Sequence, residues 1–356
     1  MSSSFGIVGY GAYVPRLRLA RAAVVEANRW YAPGLAGKAQ GTRSMANWDE
    51  DPITMAVAAA RDALGPADDR SAIRTLMLAS TTLPFADRLN AGVVAAALTL
   101  EESIEAIDIA GSQRAALSAV MDGLARVKSG VGEVLVLAAD ARKTRAASTQ
   151  ELDYGDGAAA LRLGSQGVIA EIIGHGAVSV DFVDHFRQSG EDIDYAWEER
   201  WVRDEGVARL VPQAIGAALA QAGVAATQVD HLIFPTSFAK MESQLAKACG
   251  IRESAVVDGL VDRIGETGVP HALLLLAEVL ARAEPGQHVL VSQFGSGAQA
   301  LLLRVTDKVR DFRPQRGVAG WLARGVEERS YTKFLSFKRQ LRLERGMRGE
   351  QDRKTA

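Results

Sequence analysis

Apolar residues recur at helical spacing in four long stretches of the chain, residues 52–64, 112–129, 208–222 and 268–283. Between them lie continuous apolar runs of strand length at 73–81, 133–140, 230–237 and 288–294. Runs that are apolar throughout, without alternation, predict strands covered on both faces. The order helix, strand, helix, strand occurs twice. The repeat is sharpest where Gly155-Asp-Gly-Ala-Ala-Ala-Leu-Arg-Leu163 matches Gly295-Ser-Gly-Ala-Gln-Ala-Leu-Leu-Leu303, 140 residues on. Both read G-x-G-A-x-A-L-x-L, and both follow a β-rich run. Agreement over several elements predicts an internal duplication. The expected fold class is α/β, a duplicated five-layer α/β/α/β/α arrangement with mostly parallel central sheets. The halves are residues 1–165 and 166–306, followed by a tail over 307–356.

Composition narrows the function classes. With 356 residues, 48% of them hydrophobic and 24% charged, the chain buries a large core, which excludes disorder as its main state. A formal charge of −2 gives no overall attraction to nucleic acid or to an anionic membrane. The charge is uneven, however. Residues 304–356 carry 15 Lys and Arg against 7 Asp and Glu, a net +8, which leaves −10 on residues 1–303. Such a tail suits an acidic surface, a phosphate-bearing ligand or another subunit; a solvated helical tail is the other reading, and both stay open. One cysteine, Cys249, excludes an intrachain disulfide and any multi-cysteine zinc site. No apolar run of about 18 residues occurs, and the first residues lack the basic head and apolar run of a signal peptide. A cytoplasmic chain without a membrane span is expected.

Chemistry has few places to sit. Two helices open after glycine-containing turns, at residues 110–114 and 264–268. Helix N-termini present free N–H groups and the positive end of the dipole. In a duplicated fold the two ends converge on one site, and Gly295-Ser296-Gly297 adds a turn where backbone approaches a ligand closely. Backbone donors gathered in this way suit an oxyanion hole. Other motifs fail. Gly6-Ile-Val-Gly9-Tyr-Gly11 has the wrong spacing for a dinucleotide loop, and no Walker loop, nucleophile elbow or HExxH is present. The five histidines (His175, His185, His231, His271, His288) are scattered and read as structural. Cys249 reads as a small buried hydrophobe on a short helix.

The repeat and the helix ends resemble the thiolase superfamily, in the branch of 3-hydroxy-3-methylglutaryl-CoA synthase and ketoacyl synthase III. The resemblance spans roughly residues 5–340. It rests on Ile7-Val-Gly-Tyr-Gly-Ala-Tyr-Val-Pro15, Asp49-Glu-Asp-Pro-Ile-Thr54, Val127-Lys-Ser-Gly130, Gly155-Asp-Gly-Ala158, Gly265-Glu-Thr267 and Gly295-Ser-Gly297. It implies a CoA thioester as substrate and no bound cofactor or metal. It also implies a nucleophilic Cys at the helix start, a His after an apolar strand and an Asn in a turn. An uninterrupted count from Val127-Lys-Ser-Gly130 puts Gln113 at the first position, with Ser112 one residue away. Pro235 stands at the second and Glu266 at the third, and Thr81 is nearest to the family's general-acid Glu. Three catalytic side chains are therefore substituted while the glycine scaffold stays. Gly295, Ser296 and Gly297 are the expected oxyanion and substrate-binding positions. Glu266, and then His271, are the candidate acid/base groups.

Two functions stay open. One is an enzyme acting on an acyl-CoA or acyl-carrier thioester through an oxyanion hole without a Cys acyl-enzyme, in aldol, retro-aldol or decarboxylation chemistry. Loading ketosynthases that carry Gln at the nucleophile position decarboxylate malonyl groups, which is the nearest analogy. The other is a non-catalytic scaffold subunit of an acyltransferase complex with a zinc-ribbon/OB-fold partner, docked through residues 330–354. Either reading implies a homodimer or a hetero-oligomer with a thiolase-like protein. Unmodified acyl transfer stands behind both, because Gln is not usefully acylated and Ser112 lacks an evident base.

Overall fold

The structure, a computed structural model, describes residues 4–344. Nine strands form one sheet: β1 (Gly6–Tyr13), β2 (Ile73–Ala79), β3 (Glu105–Ile109), β4 (Glu133–Asp140), β5 (Gly157–Gly164), β6 (Ala170–Ser179), β7 (His231–Ile233), β8 (His288–Phe294) and β9 (Gly297–Val305). Their spatial order is β7-β8-β9-β6-β1-β5-β4-β2-β3. The six main helices are α1 (Pro52–Leu64), α2 (Asn90–Ala97), α3 (Ala115–Lys128), α4 (Ala208–Ala222), α5 (Met241–Cys249) and α6 (His271–Leu280). Each half of the sheet comes from one contiguous half of the chain. The halves join at a narrow seam, where β1 and β6 pair only through Gly6↔Glu171 and Ile7↔Ala170.

The five layers follow from side-chain alternation along the strands. Val134 and Val136 of β4, with Val289 and Val291 of β8, face a middle layer built from α3 and α6. Leu135 and Leu137 face α1 and α2 on one outer side. Leu290 and Leu302 face α4 and α5 on the other. Nine of the ten residues of α6 are buried, as a helix covered on every side requires. The surface helices carry local signals instead. Asp51 caps α1 in a reciprocal pair with Thr54, with Pro52 at the first helical position, and Gly223 ends α4 in the left-handed conformation.

Parallel pairing is less extensive than the apolar runs suggest. It holds between β2 and β3, β2 and β4, and β7 and β8; the other neighbours in the sheet are antiparallel. A short return explains one of these pairs. The Gly295-Ser296 turn joins β8 to β9, and a turn that short connects only antiparallel strands. The strand expected over 230–237 ends at Ile233, two residues before Pro235, which has no N–H to give to a ladder.

The expected tail is a seated part of the body through Lys338. Val326–Glu328 pairs with Leu17–Leu19 in a small second sheet. A helix over Tyr331–Phe337 buries Phe334. Lys338 Nζ reaches the buried Asp156 carboxylate at 2.6 and 2.8 Å and the Arg142 carbonyl at 3.3 Å. Residues 345–356, with the basic stretch 348–354, lie outside the described residues. Among the described residues no helix is long and apolar enough to cross a membrane.

Candidate functional site

The ends of the two central helices meet. Each helix starts three residues later than its apolar period suggests, after Gly111 (φ 92°) and Gly268 (φ 81°) turn the chain. Ser112 Oγ and Arg114 Nε both donate to the Gly295 carbonyl, at 2.9 and 3.0 Å. Gln293 Nε2 donates to the Gly268 carbonyl at 3.1 Å. A Cβ on Gly295 would lie 3.0 Å from the Gln113 backbone nitrogen, so glycine is what lets this turn press against the start of α3. The halves also interlock below the site. Gly155 N donates to Glu266 O at 2.9 Å, and Glu266 N donates to Asp153 O at 2.7 Å. A side chain on Gly155 would sit 1.9 Å from the Ile264 carbonyl oxygen.

A cavity of about 160 Å³ opens here, and its walls include Gln113, Pro235 and Glu266 together with Arg142, His185 and Gln293. The three positions reasoned from sequence are thus brought to one place. A hollow of about 340 Å³ on the other side of Gln113 and His185 is walled by Thr81, Ser112, Gly295 and Ser296. Ser296 is exposed with φ 46°, while Gly297 is buried and opens β9.

The chemistry differs from the sequence assignments in several places. Glu266 is a clamped anion. Its carboxylate pairs with the buried Arg142 guanidinium and accepts from Gly268 N at 2.6 Å. Burial opposes its charge, but Arg142 outweighs burial and holds the carboxyl below the usual glutamate range, which makes it a poor proton donor. His271 leaves the list of acid/base candidates. It is fully buried, accepts from Thr267 N at Nδ1 (2.8 Å) and donates from Nε2 to Gly259 O (2.8 Å). Both nitrogens are engaged, and burial pushes its pKa below the usual histidine value. Ser112 spends its proton on the Gly295 carbonyl. Pro235 carries no proton. Thr81 shares the buried Asp140 carboxylate with Ser80, Thr82 and the Val269 N–H, tying its turn to the approach to α6.

The imidazole in the cavity belongs to His185, which the sequence reading treated as structural. It sits on a small hairpin, His185–Phe186 paired with Tyr195–Ala196. Asp184 Oδ2 holds Nδ1 at 2.8 Å, and Nε2 faces Gln113 Nε2 at 3.2 Å. Burial lowers the His185 pKa, but the Asp184 hydrogen bond and the fields of Asp184 and Asp194 outweigh it, so the pKa lies above the usual histidine value. Two-residue strands leave no periodicity to read. The one available signal was the adjacent Asp184-His185 pair, a carboxylate beside a histidine.

The chain was compared with known proteins. A family profile for the C-terminal part of 3-oxoacyl-[acyl-carrier-protein] synthase III matches residues 219–305. A hydroxymethylglutaryl-CoA synthase of Aeropyrum pernix is 31% identical over 323 residues, 88% of each chain. Among solved structures, MvaS in complex with 3-hydroxy-3-methylglutaryl coenzyme A superposes with a TM-score of 0.81 at 19% identity, over 95% of this chain and 92% of that one. The 3-oxoacyl-(acyl carrier protein) synthase III of Pseudomonas aeruginosa does so with a TM-score of 0.75 at 19% identity, over 85% and 99%. At these identities the two structures speak for the thiolase-like fold alone.

Proposed function

The chain belongs to the hydroxymethylglutaryl-CoA synthase family, and on that premise we propose that it binds the acyl-thioester end of an acyl-CoA in the 160 Å³ cavity and forms an enolate there without a covalent acyl-enzyme. The observation that carries this reading is an amide at the start of α3, 3.2 Å from an imidazole backed by a carboxylate. The reading takes that amide, Gln113, as standing at the position from which the family attacks. An amide does not form an acyl-enzyme, but the backbone donors of the helix end do not depend on the side chain. Malonyl-CoA makes the clearest case. The bond between its α-carbon and its carboxylate breaks, CO₂ leaves, and the electron pair passes into the thioester enolate. Its oxygen is stabilised at the helix end, and protonation of the α-carbon by the His185 imidazolium gives acetyl-CoA. Aldol and retro-aldol steps use the same enolate. The reading also takes the protein as a homodimer paired along the exposed edge of β3, where Ile107 and Ile109 are only partly covered.

Incubation with malonyl-CoA and acetyl-CoA, followed by intact mass measurement and product analysis, tests the reading. It expects acetyl-CoA and CO₂ from malonyl-CoA and an unmodified protein mass. A stable acyl adduct on Ser112 overturns it. A second reading, a scaffold subunit beside a zinc-ribbon/OB-fold partner, draws on the same substitutions and on the seated C-terminal helix. CoA binding without turnover, with co-purification of such a partner, favours it.

A further inference from the structure

Gln113 is 8% exposed, and its Oε1 is buried without a hydrogen-bond partner. A buried amide oxygen left unpaired is costly. The other end of the same amide, Nε2, faces His185 Nε2. The Asp184 carboxylate accepts a hydrogen bond from Nδ1–H in either charge state, so Nδ1 always carries a proton. The state of Nε2 alone then decides how the amide stands. With a neutral imidazole, Nε2 is an acceptor, the Gln113 NH₂ donates to it, and Oε1 is left against Gly268 in the cavity wall. With an imidazolium, Nε2–H is a donor and faces a donor. A half-turn of the amide relieves this clash, since the two ends of the group have the same shape. Oε1 then accepts from His185, and the NH₂ is presented where the unpaired oxygen had been.

We propose that Gln113 is a charge-reading element that offers the cavity an acceptor when His185 is neutral and a donor pair when His185 is protonated. The ligand that benefits has an acceptor oxygen on its acyl group, either a thioester carbonyl or a terminal carboxylate. This rests on the proposed function for the nature of the ligand, but the rotation itself does not. A Cβ on Gly268 would lie 2.5 Å from the buried Asp140 Oδ2 and 3.0 Å from both Gln113 Oε1 and Arg142 Nε, so the unpaired amide atom borders an unpartnered guanidinium N–H and a carboxylate.

The groups facing His185 fix the sign. Asp184 adjoins it at the hairpin, and Asp194 immediately precedes the return strand with its Oδ1 paired to Arg187. Arg142 faces it from the segment after β4 and opposes its protonation, while the Glu266 charge is taken up by Arg142. The two aspartates outweigh burial and Arg142, so the His185 pKa stands above the usual 6.5. The donor orientation is complete below that pKa and is lost as pH rises through it.

The test has two parts. In the ligand-free protein, nitrogen-15 NMR follows the His185 ring and the Gln113 side-chain amide between pH 5 and 9. The amide resonances are expected to move with the midpoint of the ring, and a Gln113 amide that stays still while His185 titrates overturns the proposal. Calorimetry with free CoA, acetyl-CoA and succinyl-CoA, whose terminal carboxylate cannot leave as CO₂ to give the thioester enolate, then gives affinity ratios in which the CoA phosphates cancel. The ratio of acetyl-CoA to CoA is expected to fall about tenfold across the His185 midpoint, the worth of one hydrogen bond. A larger fall for succinyl-CoA than for acetyl-CoA assigns the carboxylate as the partner, and equal falls for the two assign the thioester carbonyl. Gln113→Glu, close to Gln in size and unable to donate when ionised, and Gln113→Leu both flatten the ratio; a ratio that persists in both overturns the proposal. If the amide follows His185 but none of the three ligands binds, the proposed function fails and the rotation stands.

Discussion

Replacing Lys338 by Met tests whether the C-terminal segment is structural. The ammonium is buried on the Asp156 carboxylate with contacts of 2.6 and 2.8 Å. Its removal leaves Asp156 buried, with the Arg43 guanidinium at 3.8 Å and the Ala46 N–H at 2.8 Å as remaining partners. Breaking a buried ion pair from one side costs about 3–5 kcal/mol. The remaining partners put the loss at the lower end, about 3 kcal/mol, with a fall in Tm on the order of 5 °C for a chain of this size. Urea denaturation followed by circular dichroism measures it. Arg329→Ala serves as the control, because that side chain is 82% exposed in its pair with Glu327, and its midpoint should match the wild type. Adding Asp156→Asn to Lys338→Met should recover part of the loss, since the stranded charge is then removed. A Lys338→Met protein that unfolds at the wild-type midpoint would refute the reasoning and return residues 330–344 to the status of a loose tail.

Gln113→Cys should be acylated slowly by acetyl-CoA and gain little condensing activity. A thiol there is two atoms shorter than the amide and falls out of reach of His185, while Pro235 and the clamped Glu266 supply no proton transfer, usually worth about 10²–10⁴-fold; a rapid stoichiometric adduct by mass spectrometry would contradict this. Gly155→Ala should destabilise by about 3 kcal/mol through its clash with the Ile264 carbonyl, whereas Gly34→Ala, with nothing within 4 Å, should be silent in the same melt. Light scattering should give a dimer that Ile107→Lys converts to monomer; a wild-type monomer at micromolar concentration would show that β3 is not a pairing edge.

Much of the framework was legible because its signals are local or periodic. The helices over 52–64 and 208–222 and the strands over 133–140 and 288–294 have the extents their apolar patterns indicate. The repeated Gly-x-Gly located the two hairpin starts and, through them, the convergence of Gln113, Pro235 and Glu266. Pairing direction was not legible, because β5 and β9 are as apolar as parallel strands yet both pair antiparallel, β9 through the short Gly295-Ser296 return and β5 after a 16-residue connection. His185 was hidden for a different reason. It is placed by a hairpin of two-residue strands whose position depends on tertiary contacts such as Lys143 with Asp192. The role of Lys338 was invisible because its partners, Asp156 and Arg142, are nearly 200 residues away in the chain.

The middle layer sets a problem of timing during synthesis. α3 is complete at Lys128, yet its packing partner α6 begins only at His271, 143 residues later. At about 5–20 residues per second the interval is roughly 7–30 s. From the completion of β5 at Gly164 onward, the nascent first half holds all the strands and outer helices it pairs, but the apolar flank of α3 that later joins α6 in one cluster has no cover. A chaperone that engages this half on the ribosome should therefore bind α3 by that flank and release it when the leucine run of α6 leaves the exit tunnel.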